Sequence, residues 1–435
     1  MLIGIVKGES MPHYARLAAA ATMLGALLVA PAGHAQPDAP PETGFEQSNG
    51  ARWTTPEEET GFLETIAAAN PEVSVQQIGT TLQHRPLRLV RLGAHHSPST
   101  VLFVCSQHGD EPSGREACLS TIRDLAYSED PQVAELLRTT TVLFVPTANP
   151  DGRVADTRGN AVGTDINRDH ITLESPEARA IARVVREHQP DIVHDLHEYT
   201  GESPYYDKDV LALWPRNLNT AEPVHDAARA LSEEHVRPAV EGAGFTSGVY
   251  GIWTDPQTGE PIKQVAGDGQ ERILRNTIGV KNALGLLVET RQIPLSGEEQ
   301  NDPAVNNRRR VDSHLVAVQA TLRMLVEHRA EIERATTEAR LAGLRNEGPV
   351  YFGGADNEPP APGDVENNPP CGYRLTGEQY TQVADELQLH DVRTLPDENG
   401  GRYVPMRQPA RSLVPLLLDK RAEFHLTEAE PVSCQ

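Results

Sequence analysis

The chain has 435 residues, of which 38% are hydrophobic and 5% aromatic, enough for one large domain plus a small one, or for two medium ones. Acidic residues outnumber basic ones 62 to 39, a formal charge of −23. That argues against nucleic acid or an anionic membrane as partner, because both need a positive footprint. The four cysteines include no Cys-x-x-Cys pair, which excludes thiolate zinc fingers.

Lys7 and Arg16 precede an apolar stretch from Leu17 to Val29, and Gly33 and Ala35 then offer the small residues of a cleavage site. Residues 1–35 therefore read as a signal peptide. The stretch is short for a bilayer span, so no membrane span is expected after cleavage, and the protein is expected to be exported, periplasmic or extracellular. In that setting Cys371 and Cys434 are placed to staple the last segment. Cys105 and Cys118, in an apolar strand and the helix after it, read as ordinary buried thiols at least as readily as a bridge.

Residues 36–50 are rich in Pro, Ala, Glu and Gly and predict a flexible linker. A main domain is expected over 51–345. It opens with an amphipathic helix from Glu57 to Ala69, capped by Thr54 or Thr55. Val73 to Gly93 alternates and predicts a strand pair turning near Gln83-His84. Val101 to Val104 is a short apolar, β-branched run, read as a buried strand. A polar turn with His108 and Glu111 follows, and a helix starts at Ser113. Thr140 to Pro146 predicts another buried strand, with Asn149-Pro150-Asp151-Gly152 as a strand-end loop. Pro176 to His188 predicts a helix, and Asp191 to Leu196 a strand ending at His197. A helix over about Pro223 to Glu241 leads into glycine-rich loops around Gly242 to Gly269. Leu284 to Arg291 is a further core strand, and Arg308 to Leu344 one long helix whose apolar stripe packs on the core. Residues 346–370 are a Pro/Gly/Asn-rich linker. Residues 371–435 predict a small accessory domain with a helix from Gly377 to Leu387, a strand-turn near Asn399-Gly400-Gly401 and an apolar helix from Ser412 to Leu418. Strands alternating with helices give an α/β fold with helices on both faces of the sheet.

In such sheets ligands gather beyond the carboxyl ends of the strands. His108, Asn149 and His197 fall at such places. A histidine and a carboxylate three residues apart at a strand exit aim a nitrogen and an oxygen at one point, and catalytic zinc takes three such ligands. For the third ligand His197 is preferred over His194, which lies inside the strand and reads as a satisfied core histidine. His95, His96, His225 and His235 read as solvated. Glu289 closes an apolar strand, where an unpaired carboxylate is unfavourable. It reads either as a strand terminus salt-bridged to Arg291 or as a general base of raised pKa. Arg158 and Arg168 share the crossover past this mouth, where a guanidinium matches a carboxylate or an oxyanion.

His108-x-x-Glu111, Asn149-Pro-Asp-Gly, Arg158-Gly-Asn160, Gly163-Thr-Asp165-Ile-Asn167-Arg168-Asp, Asp195-Leu-His197 and the strand-end Glu289 together resemble the zinc carboxypeptidases (the funnelin family) over about Thr54 to Leu344. The resemblance implies a mixed, largely parallel sheet and one zinc ion per chain held by His108, Glu111 and His197. It implies Asp165 orienting His108, and Asn167 and Arg168 gripping the substrate's terminal carboxylate. Arg158 would stabilise the tetrahedral oxyanion, and Glu289 would move a proton from the attacking water to the leaving amine. The mouth sequence Gln107 to Pro112 is more similar to bacterial members acting on cell-wall peptides than to digestive ones. The family's mobile tyrosine has no equivalent between Gln264 and Thr277, and Tyr250 lies too far upstream to assign. No specificity-pocket residue aligns between Gly242 and Gly279.

The expected activity is release of a carboxyl-terminal residue from a peptide or cell-wall peptide with a free carboxylate. A zinc amidase or deacylase of murein peptides or N-acyl amino acids would share the metal centre. A non-catalytic peptide binder of the same fold is a third reading, opposed by the presence of Glu289 and both arginines.

Overall fold

The computed structural model describes residues 39–94, 97–397 and 400–434. The expected signal peptide, His95, His96 and Asn399 lie outside them. The described residues from Pro40 onward form one compact unit. The first ten strands are β1 (Ser74–Thr80), β2 (Pro86–Gly93), β3 (Ser99–Cys105), β4 (Thr140–Val145), β5 (Ile192–Tyr199), β6 (Val210–Leu213), β7 (Ser247–Val249), β8 (Ile252–Thr254), β9 (Pro261–Gln264) and β10 (Leu284–Arg291). Eight of them form one sheet in the order β1-β2-β4-β3-β5-β10-β6-β7. The centre, β4-β3-β5-β10, is parallel, and β1, β2 and β6 join antiparallel. The mixed, largely parallel sheet with helices on both faces is therefore the fold.

Continuous apolar runs make the central strands because both of their faces are covered. Val101, Phe103 and Cys105 point to one side, into a core with Phe62 and Ile66 of helix Pro56–Ala69, Leu119 and Ile122 of helix Ser113–Ala126, and Val318 of helix Pro303–Glu327. Leu102 and Val104 point to the other, against Ile181 and Val184 of helix Pro176–His188. Thr55, not Thr54, caps the first of these helices, in a capping box with Glu58. Thr54 instead binds the buried Glu116 carboxylate, through its N–H at 2.9 Å and its hydroxyl at 2.7 Å.

Several elements differ from the sequence-based expectation. The described part of the 36–50 segment is not a loose linker: Thr43 and Glu46 form a capping box for a turn of helix, Gly44–Gln47, and Phe45 stacks on Trp53. Asn149 to Gly152 is the start of a helix, Pro150–Ala155, because the Asn149 side chain accepts from the Gly152 N–H and Pro150 occupies the first position. β5 continues past His197 to Tyr199. The long helix is two, Pro303–Glu327 and Arg329–Gly343, interrupted at His328. Cys105 and Cys118 are joined by a disulfide, as are Cys371 and Cys434.

The 346–370 stretch is tied down as well. Val350–Tyr351 pairs with Val365–Glu366, and Asn219 bonds both the N–H and the carbonyl of Tyr351. The C-terminal segment carries a four-stranded antiparallel sheet of its own, yet its core includes Ile171 and Val280 from the main body. His390 Nε2 donates to the Ile171 carbonyl at 2.8 Å, and Arg179 pairs with Glu386 at 2.5 Å. It is joined to the body rather than set apart from it. Among the described residues no helix is long and apolar enough to cross a membrane.

Candidate active site

The loop leaving β3 places the first two site residues. Ser106, buried, takes a positive φ of 56°, and its hydroxyl donates to the Glu111 carbonyl at 2.9 Å, folding the loop back on itself. Gly109 lies so close to the start of helix Pro150–Ala155 that a Cβ there would sit 1.9 Å from the Gly152 carbonyl carbon. Only glycine allows the approach that brings His108 over the sheet. His108 Nε2 donates to Asp165 Oδ1 at 3.0 Å, which turns its Nδ1 toward Glu111 Oε1, 2.8 Å away.

His197 comes from β5, whose register with β10 sets it directly beside Glu289. Its Nδ1 lies 2.8 Å from Glu111 Oε2 and 3.1 Å from His108 Nδ1. Its Nε2 faces Asp195 Oδ2 at 2.9 Å. Asp195 is held in turn by Gln107 Nε2 at 2.8 Å, and Gln107 Oε1 lies 2.7 Å from His170 Nε2. Each imidazole thus has a carboxylate behind it that fixes its orientation, the arrangement that supports metal-ligating histidines.

The electrostatics ask for a cation between these groups. Burial would push the Glu111 carboxyl up, but the neighbouring His108 and His197 hold it well below the usual carboxylate range. Burial likewise opposes charge on His197, and Asp195 and Glu111 overcome it, raising the imidazole well above its ordinary value. A buried carboxylate with two imidazole nitrogens turned on the same point is balanced by protons or by a metal ion. The three donor atoms lie within 4.8 Å of one another, and the nitrogen and oxygen donors are those zinc takes. The residues fit a single divalent ion.

Glu289 faces the same cleft and is 6% exposed. Burial pushes its carboxyl up to about 7, and Oε2 has no partner among the described residues. It does not pair with Arg291, which binds Asp209 at 2.8 Å instead. The cleft has a volume of about 440 Å³, and His108, Glu111, Arg158, Asn167, Arg168 and Glu289 all line it. Arg158 binds Asp165 Oδ2 through Nη2 at 2.9 Å and reaches within 3.6 Å of Glu111. Asn167, expected to grip substrate, has both ends of its amide engaged: Nδ2 lies 3.0 Å from His197 Nε2, and Oδ1 accepts from the Leu274 N–H at 2.9 Å. His194 is the core histidine expected, with Nδ1 3.0 Å from the Thr321 hydroxyl. His225 is not simply solvated, since its Nε2 binds Asp356 at 3.1 Å, and His235 stacks edge-on against His328.

Residues 60–239 match the family model described as zinc carboxypeptidase. That stretch, about two fifths of the chain, contains His108, Glu111, Arg158, Asn167, Arg168 and His197 and stops before Glu289. Among curated relatives, carboxypeptidase 2 of Trichophyton tonsurans is 29% identical over 232 residues, 52% of this chain and 41% of that one. A probable carboxypeptidase 2 of Trichophyton verrucosum is 27% identical over 288 residues, 62% and 54% of the two chains. The chain spans about half the length of the curated relatives it matches. A solved metallocarboxypeptidase of Pseudomonas aeruginosa aligns with a TM-score of 0.49 at 22% identity, covering 64% of this chain and 69% of that one.

His108, Glu111 and His197 form a group able to hold one metal ion, and all three lie within the residues matched to the zinc carboxypeptidase model. Two features of the cleft escaped the sequence. Tyr250 lines it, although the β8–β9 hairpin lengthens the path from there to Glu289. The charge of Glu289 and burial together raise its phenol. Arg275 lines it too, from helix Leu274–Val280, a position that no motif marked.

Proposed function

We propose that the protein is an exported zinc-dependent metallocarboxypeptidase that hydrolyses the C-terminal bond of peptides or cell-wall peptides. The observation that carries this is the convergence of His108, Glu111 and the buried His197 at the wall of a cleft that an unpartnered Glu289 also lines. A zinc ion held by those three residues supplies Lewis acidity to the scissile carbonyl and lowers the pKa of water. Glu289, whose carboxyl burial pushes up in the metal-free protein, accepts a proton from the attacking water and delivers it to the leaving amine. Arg158 donates to the developing oxyanion, and Asp165 holds its guanidinium in place. Arg168 receives the substrate's terminal carboxylate. Asn167, on the same turn, steadies His197 beneath it. Two disulfides suit an oxidising compartment outside the cytoplasm.

The test compares a peptide bearing a free C-terminal carboxylate with its C-terminal amide, followed by mass spectrometry with and without chelator. The expected result is loss of one residue from the free peptide only, abolished by chelation and restored by zinc. Equal rates on both peptides would replace this reading with that of an amidase.

A further inference from the structure

We propose that Arg275 forms a second carboxylate subsite in the cleft, so that the enzyme prefers substrates ending in an acidic residue, glutamate or aspartate. The inference rests on the carboxypeptidase reading and names the substrate class of that same site.

The argument is one of charges left unmatched. Arg158 is neutralised by Asp165, and Glu198 by Arg310. Glu111 is taken by the two imidazoles. Among the described residues neither Arg168 nor Arg275 makes a salt bridge, and both line the cleft. Arg168 is half-buried and spends one N–H on the Asn167 carbonyl. Arg275 is 2% exposed, donates from Nη2 to the Asp268 carbonyl at 2.6 Å, and leaves Nε without a partner. No carboxylate among the described residues lies within salt-bridge distance of it, Asp268 attracting it only from farther off, and a guanidinium so buried is unfavourable unless a ligand completes it. An ordinary peptide terminus brings one carboxylate, and the cleft holds two unpaired guanidinium groups. A C-terminal glutamate or aspartate brings two.

The group is also held rigidly. Leu274, at the start of its helix, donates its N–H to Asn167 Oδ1, so the side chain that steadies His197 also anchors the Arg275 helix. From below, β10 presents Gly285, where a Cβ would lie 2.1 Å from the Arg275 carbonyl oxygen. That close approach fixes the helix to the strand carrying Glu289. Burial lowers the guanidinium to about 10, which leaves it charged at neutral pH. Asp268 and Asp110 also face the cleft. Asp268 Oδ1 caps the Gln270 N–H at 3.0 Å, and Asp110 adjoins the metal ligand Glu111.

The experiment measures kcat/KM of the zinc-loaded, full-length protein on N-acylated dipeptides ending in Glu, Gln, Phe and Lys. Glutamine has the shape of glutamate without its charge. The Glu-ended substrate is expected to exceed the Gln-ended one by about 10-fold or more, and Arg275→Gln to bring that ratio to about one, with Arg275→Lys between. Equal or faster turnover of the Gln, Phe or Lys substrate by the unmodified enzyme would overturn the inference whatever the variants do. So would an Arg275→Gln variant that slows all four by one factor, since both arginines would then share a single carboxylate. If none of the four is hydrolysed, the peptidase reading fails separately. Calorimetric binding of glutamate against glutamine then decides the subsite, a tighter glutamate upholding it and equal affinities ending it.

Discussion

Replacing Glu289 with glutamine separates two consequences of one buried carboxyl. As the proton carrier, it is expected to contribute about 10²–10⁴-fold to turnover, or roughly 3–5 kcal/mol of barrier. As a group that burial pushes from 4.5 up to about 7, it also weakens the fold once ionised. In the metal-free protein the folded state binds more protons than the unfolded state between pH 4.5 and 7. Stability is therefore lost as pH rises through that window, by up to about 3 kcal/mol. Glu289→Gln cannot ionise and should escape the loss. Urea unfolding of the chelated proteins at pH 8 should show the variant more stable, with the difference gone near pH 4.5. Peptide hydrolysis by the zinc-loaded variant should be nearly abolished. Activity within about threefold of the parent, or a stability difference independent of pH, would refute the assignment of Glu289 as a desolvated base.

Buried neutral histidines act in the opposite sense. Burial holds His194 and His314 at about 3, while in the unfolded chain both protonate near 6.5. The unfolded state thus binds more protons below 6.5, and stability should fall as pH drops, by up to about 1.4 kcal/mol per pH unit for each group. Denaturation curves of His194→Asn should show a shallower acid slope than the parent, and identical slopes would contradict this. Gly109→Ala puts a Cβ 1.9 Å from the Gly152 carbonyl carbon, so the loop must shift and carry His108 with it. The expected result is a loss of about 1–3 kcal/mol in stability and clearly weaker zinc binding by competition with a chromogenic chelator. Unchanged affinity would mean that the close approach does not position His108.

The core of the fold was legible because it rests on local pattern. Val101 to Val104, Thr140 to Val145 and Leu284 to Val288 are continuous apolar runs, and only strands covered on both faces need them. The ligand residues were legible for a related reason: His108, His197 and Glu289 lie at or near strand exits, where side chains escape the packed interior. What failed depended on three-dimensional partners. Asn149-Pro-Asp-Gly has turn chemistry, but the same Asn and Pro serve equally as a helix cap and first residue. The break at His328 leaves no proline or glycine to announce it. Asn167 lines the cleft as the motif implies, and its contacts with His197 and Leu274 are visible only once the chain is folded. Tyr250 and Arg275 reach the cleft through loops of irregular length, which spacing in sequence cannot track. Cys105 and Cys118 face each other only because the helix after the His108 loop returns across β3.

The central claim is that one zinc ion sits between His108, Glu111 and His197. Anomalous diffraction at the zinc edge from crystals of the zinc-loaded protein tests it most directly. A single strong peak about 2.0–2.2 Å from both Nδ1 atoms and a Glu111 oxygen is the expected result, with Glu289 nearby and not bound to it. A principal peak held by other residues, or none at this centre, would contradict the account.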